Sequence, residues 1–188
     1  WVCVVMGALV LNKFSRLGGI LGFLINALVL FGGASLANWL TSGLSLPMNS
    51  LLDQTLLPKE VHYVACRDVD VLFEAIRSLR VRGAPAIGVA AAYGIALEAD
   101  RLRRASASEF ALGMNAAFDV LAASRPTAVN LFWALERMRE HWNDFAAKPT
   151  AEIADHLIAA SMAIHAADVD ANRSMGNYGQ QLLRDGAR

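Results

Sequence analysis

Acidic side chains are missing from the first 52 residues, where Lys13 and Arg16 are the only charges, and all 17 Asp and Glu lie from Asp53 onward. With 17 Lys and Arg in total, the formal net charge is zero, so no general basic field exists to hold a nucleic-acid backbone. Cysteine is scarce: Cys3 and Cys66 belong to no CxxC pair and no Cys/His cluster of metal-ligand spacing, which removes a disulfide framework and a zinc ribbon. The four histidines, His62, His141, His156 and His165, contain no i,i+4 pair, so a helical zinc site has no support. Linkers are missing too. No Gly/Ser or charged run divides residues 51–188, and no repeat of fixed period is visible.

What is present falls into two unlike pieces. From Leu17 to Leu52 there is no charge, and the stretch LGGILGFLINALVLFGGASLANWL is long enough to cross a bilayer core of roughly 30 Å as a helix. Lys13 and Arg16 stand before it as a positive flank, and Ser35-Leu36-Ala37 fits a small-residue cleavage site. Three readings stay open on these residues: a membrane anchor, a cleavable signal, or a leader foreign to the folded domain.

Residues 51–188 read as a mainly α domain with a small β element. LLDQTLLP and VHYVACRD are short, contain Val, Tyr and Thr, and predict two strands. Asp68 caps a predicted helix through Arg80, with Val69, Leu72, Ile76 and Leu79 on one face. Pro85 opens a second helix running to Arg104, whose Ala86, Ala90 and Gly94 form a stripe of small residues suited to close helix approach. Ser106 and Glu109 make a capping box for a third, which must stop near Ser124, before Pro126. A fourth helix after Pro126 places Phe132, Leu135, Met138 and Trp142 in the core, and a fifth from Pro149-Thr150 repeats Ile153, Leu157, Ala160 and Ile164 on its way toward Gly186.

Two segments place an arginine at the start of a buried helix: Arg82-Gly83-Ala84-Pro85 and Ser124-Arg125-Pro126-Thr127. A helix start offers unpaired N–H groups and partial positive charge, Gly83 admits close backbone approach, and an arginine fork adds bidentate bonds to phosphate oxygens. Together they predict an anion pocket. Three other candidates fall away. Asp168–Asn172 imitates a calcium loop but has Arg173 where glycine is needed and Gly179 where glutamate is needed. Cys66 reads as a structural thiol, because His62 lies too far along the same strand to serve as its base. Gly176-Asn177-Tyr178-Gly179 reads as a bend in the last helix rather than a phosphate loop.

LLDQTLLP, AIRSLRVRGAPAIGVAAAYGIAL, SRPTAVNLFWALERM and NRSMGNYGQQLLRDG, in that order, resemble the amino-terminal domain of the S-methyl-5-thioribose-1-phosphate isomerase family. That wider family also holds ribose-1,5-bisphosphate isomerase and the regulatory alpha, beta and delta subunits of the translation initiation guanine-nucleotide exchange factor. The resemblance implies an aldose–ketose isomerase of methionine salvage that uses no metal or nucleotide cofactor. It implies a sugar-phosphate ligand held through Arg82, Gly83, Ala84 and Arg125, a homodimer, and a cytoplasmic location in which a leader anchor is disfavoured. It also implies that the catalytic Cys and Asp, and a Rossmann-like carboxy-terminal domain, lie beyond Arg188. The chain is thus expected to be an isomerase fragment, inactive alone, with no catalytic residue of its own. The alternative is a non-catalytic regulatory or assembly subunit. The hydrophobic leader departs from the family pattern and suggests a mistaken upstream reading frame or gene boundary.

Overall fold

The structure, a computed structural model, describes residues 50–181. The expected leader lies outside this range, as do Leu182 to Arg188. Two short strands come first. β1 (Ser50–Leu52) and β2 (Tyr63–Ala65) pair antiparallel, with Leu51 opposite Val64. The strand predicted over LLDQTLLP is shorter than expected, because Asp53 leaves the ladder and turns the chain: its carboxylate accepts from Thr55 N at 3.0 Å and Thr55 Oγ1 at 2.5 Å. That carboxylate is fully buried and paired with Arg80, whose carbonyl in turn accepts from Gln54 N at 2.9 Å. One acid therefore ties the strand end to the chain beyond the first helix.

Among the described residues, five helices follow. α1 (Val69–Arg77) is capped by Asp68, whose carboxylate accepts from Val71 N at 2.8 Å. It stops before the expected Arg80, because Leu79 takes a left-handed φ of 64° that no α-helix can contain. α2 (Ala84–Arg101) carries Pro85 in its first turn and ends three residues short of the expected Arg104, at the cap residue Leu102. α3 (Ala107–Ser124) has the predicted capping box in full and ends ahead of Pro126. α4 (Val129–Asp144) and α5 (Thr150–Gln180) are the last two helices of the described residues. α5 runs through both Gly176 and Gly179 without a break, and Asp168 to Asn172 are helical within it. Asn172 Nδ2 donates to Asp168 O at 2.9 Å, so these residues form no cation loop.

α2 is the axis of the domain, buried almost continuously from Ile87 to Ala96 and in contact with all four other helices. Its alanines and glycines make this possible. A methyl group at Gly94 would fall 2.5 Å from Leu72 Cδ2 on α1 and 3.0 Å from Leu121 Cδ1 on α3. Around α2 the fully buried Ile76, Phe110, Met114, Leu121, Leu131, Met138 and Leu157 fill the core, each burial contributing roughly 1.5–3 kcal/mol. Trp142 stacks on Phe118 at 6.0 Å and meets Phe110 edge-on at 6.2 Å.

Phe132 corrects the expected core, being 42% exposed. The buried stripe of α4 is Leu131, Leu135, Met138 and Trp142, spaced 4, 3 and 4. Phe132 stands about 100° around the helix from Leu131 and leaves the core face.

Candidate functional site

The two arginine-led helix starts meet at one end of the bundle. Gly88, in the second turn of α2, packs so tightly on α4 that a Cβ there would lie 2.7 Å from the carbonyl oxygen of Asn130 and 3.5 Å from Ala134 Cβ. Asn130 is the second residue of α4, so the amino-terminal turns of α2 and α4 lie side by side. Neither start has a side-chain cap: the cap positions are Gly83, at φ 99°, and Ala128. A serine or aspartate there would satisfy one of the first-turn N–H groups. Pro85 has no N–H and Leu131 N already donates to Ala128 O at 2.9 Å, so the first-turn donors left for an external acceptor are those of Ala84, Ala86, Val129 and Asn130.

Beside this junction is a cavity of about 420 Å³. Pro85, Gly88 and Val89 of α2 form one wall, Val129, Asn130 and Trp133 of α4 a second, and Ile164, Ala167 and Asp168 of α5 the third. The lining is mostly apolar, with the Asn130 amide, the Trp133 indole N–H and the Asp168 carboxylate as its polar side-chain groups. Arg82, Gly83, Ala84 and Arg125 do not contribute to this wall, although Pro85 directly follows Ala84. Arg82 is exposed and its Nε donates to Leu79 O at 3.2 Å, which turns the side chain back over the end of α1. Gly83 and Ala84 are exposed at the mouth of α2. Arg125 is half-buried in the carboxy-terminal cap of α3, with φ −149° and ψ 86°. The backbone thus brings the two helix starts together, while the two guanidinium groups remain apart from the cavity wall.

Arg80, two residues before Arg82, has a different task. Its Nε donates to Glu74 at 3.0 Å and its Nη1 to buried Asp53, and these carboxylates hold its proton more firmly than usual. Hydrogen bonds from Thr55 lower the Asp53 carboxyl below its ordinary range, with Arg80 adding to the effect against the opposing penalty of burial. This cluster anchors the loop that leads into Gly83.

Cys66 is buried, and that burial, aided by Asp68, pushes its thiol up; it is a poor nucleophile. The spacing did not reveal two contacts between helices. Tyr93 Oη lies 3.1 Å from His165 Nδ1, with the phenol pushed up by burial, and His141 lies against His156. Trp133, 53% exposed at the cavity, and Asp168 line the cavity without belonging to either arginine-led motif.

Comparison with known proteins places this architecture. A family model described as "Initiation factor 2 subunit family" matches residues 80–188. A protein named methylthioribose-1-phosphate isomerase from Albidiferax ferrireducens is 53% identical over 138 residues, covering 73% of this chain and 39% of that protein. The solved 5-methylthioribose 1-phosphate isomerase of Pyrococcus horikoshii OT3 superposes with a TM-score of 0.70 at 40% identity, over 74% of this chain and 40% of that one. The translation initiation factor eIF-2B delta subunit from A. fulgidus gives 0.67 at 41% identity, over 73% and 40%. The chain spans about two fifths of the length of the relatives it matches. Among the described residues, no helix is long and apolar enough to cross a membrane.

Proposed function

The chain belongs to the initiation factor 2 subunit family, and from that premise we propose that it is the phosphate-binding part of an isomerase converting S-methyl-5-thioribose 1-phosphate into S-methyl-5-thioribulose 1-phosphate. The observation that carries the reading is the meeting of two uncapped helix starts, each preceded by an arginine. The similarity to proteins named for this isomerisation supplies the substrate.

A phosphate ester at this end of the bundle would accept from the first-turn N–H groups of α2 and α4, with Gly83 leaving room for the approach. Arg82 and Arg125 sit on the segments entering those helices and would swing onto the phosphate as paired donors, each adding charge-assisted bonds. Arg82 gives up only one exposed bond to a carbonyl in doing so. Moving a proton between the adjacent carbons of an aldose needs an acid and a base positioned over them. The proposal assigns no such pair to this chain, and no metal or nucleotide cofactor to the reaction. The chain binds the sugar phosphate, and turnover requires the part that its relatives carry beyond it. The homodimer belongs to that longer protein.

Titration calorimetry of the purified chain with methylthioribose 1-phosphate, competed by inorganic phosphate and paired with a turnover assay, tests this. Competitive binding without turnover is expected. Turnover by the chain alone overturns its inactivity, and the lack of any phosphate-competed binding overturns the pocket. A second reading, a non-catalytic assembly subunit, rests on the likeness to the delta subunit. It predicts no sugar-phosphate binding and stable association with sibling subunits of the same family.

A further inference from the structure

His141 and His156 are 15 residues apart, and the hairpin of α4 and α5 brings them together. Nδ1 of His141 lies 3.1 Å from Nε2 of His156, with the rings inclined at 62°. Phe145, at the end of α4, stacks on His156 at 3.6 Å between centroids and 11° between planes. Both imidazoles are half-buried. A hydrogen bond between two ring nitrogens needs a proton on one and a lone pair on the other. When both rings are protonated, both contacting nitrogens are donors, and the contact becomes a repulsion. The 3.1 Å separation of the two ring nitrogens fits a proton shared between them.

We propose that the His141–His156 contact is a proton-operated latch, which holds the Phe145 end of the α4–α5 hairpin closed near neutrality and releases it on acidification through the imidazole range. The charged groups around it bear on the direction. Burial chiefly opposes a proton on His156; from α4, His141 opposes it further and Asp144 favours it, and the balance holds His156 below its ordinary value. Nearby on α5, Asp155 is engaged by Arg103 at 2.6 Å and Glu152 by Lys148 at 4.0 Å, so neither is a free counter-charge for the pair. The unfolded chain, with histidines near 6.5, takes the proton first. The contribution of the latch is therefore complete above about pH 6.5 and is lost as pH falls below it. Along α4 the latch stands about 16 Å from Asn130 at the cavity, counting 1.5 Å per residue. Acid would loosen the closed end of the hairpin before it disturbs the helix starts.

The test uses the full chain in two measurements. In an NMR titration, the His156 imidazole is expected to titrate below an ordinary histidine and to move up in His141→Gln, which keeps a hydrogen-bonding group without the charge. In hydrogen exchange, corrected for intrinsic rates, amides 145–156 are expected to open faster at pH 5.5 than at 7.5 in the wild type but not in His156→Gln. Protection of 90–96 is expected to stay constant, and His165→Gln to behave as the wild type. The same His156 midpoint with and without His141, or an unchanged acid response in His156→Gln, overturns the latch.

Discussion

Gly88 and Asn130 fix the candidate site between them: hydrogen stands at position 88 because a methyl group there would be 2.7 Å from the Asn130 carbonyl oxygen. This close approach brings the start of α2 against the start of α4. A backbone oxygen cannot step aside as a flexible side-chain end can. Gly88→Ala is therefore expected to push the helices apart and to destabilise the chain by about 1–3 kcal/mol. Urea denaturation gives the loss, and phosphate affinity should fall with it. An unchanged midpoint would show that α4 yields without strain.

Arg125 tests the anion pocket with less disturbance, since it lies at the cap of α3 rather than in the core. Arg125→Lys keeps the charge and removes the fork, so phosphate-competed binding is expected to weaken by about tenfold, the scale of one charge-assisted hydrogen bond of roughly 1.5 kcal/mol. Arg82→Lys should behave alike. Equal affinity for all three proteins would assign both arginines to solvent.

Asp53 makes the acid limb of stability testable. Its folded carboxyl is lowered chiefly by the Thr55 hydrogen bonds, so its contribution is present above the ordinary carboxylate range and lost as pH falls through and below about 4. Asp53→Asn should lower the urea midpoint at pH 7 and flatten its decline between pH 5 and 3. A variant with the wild-type slope would place the acid sensitivity elsewhere.

Ser106 offers a calibration far from any site. Its hydroxyl accepts from Glu109 N at 3.3 Å while Glu109 reaches back to Ser106 N at 3.0 Å. Ser106→Ala should cost about 1 kcal/mol in thermal or urea unfolding and leave phosphate binding untouched.

Features written locally were legible in the sequence. Asp68 and the Ser106/Glu109 box announce helix starts within three residues, and Pro126 announces an end, because each acts on its own backbone. Leu79 hid the end of α1: nothing about a leucine announces a positive φ, and only the Asp53–Arg80 tie shows why the chain turns there. Phe132 misled for a related reason, since its spacing fits a helical face nearly as well as that of Leu131. The arginine turns could be read, but the cavity could not. Its walls come from α2, α4 and α5, and no spacing along one segment brings Pro85, Trp133 and Asp168 together.

α5 carries one more consequence. Its body-facing part ends in the 160s, and Ala171 to Gln180 are all exposed along an unbroken helix. From Ser161 to Gln180 the rod is about 28 Å long, so a tilt of about 10° at its root displaces its tip by about 5 Å. The same helix forms the third wall of the cavity through Ile164, Ala167 and Asp168. The wall of the cavity and the exposed rod are therefore parts of one continuous helix, so that the direction of the one sets the direction of the other.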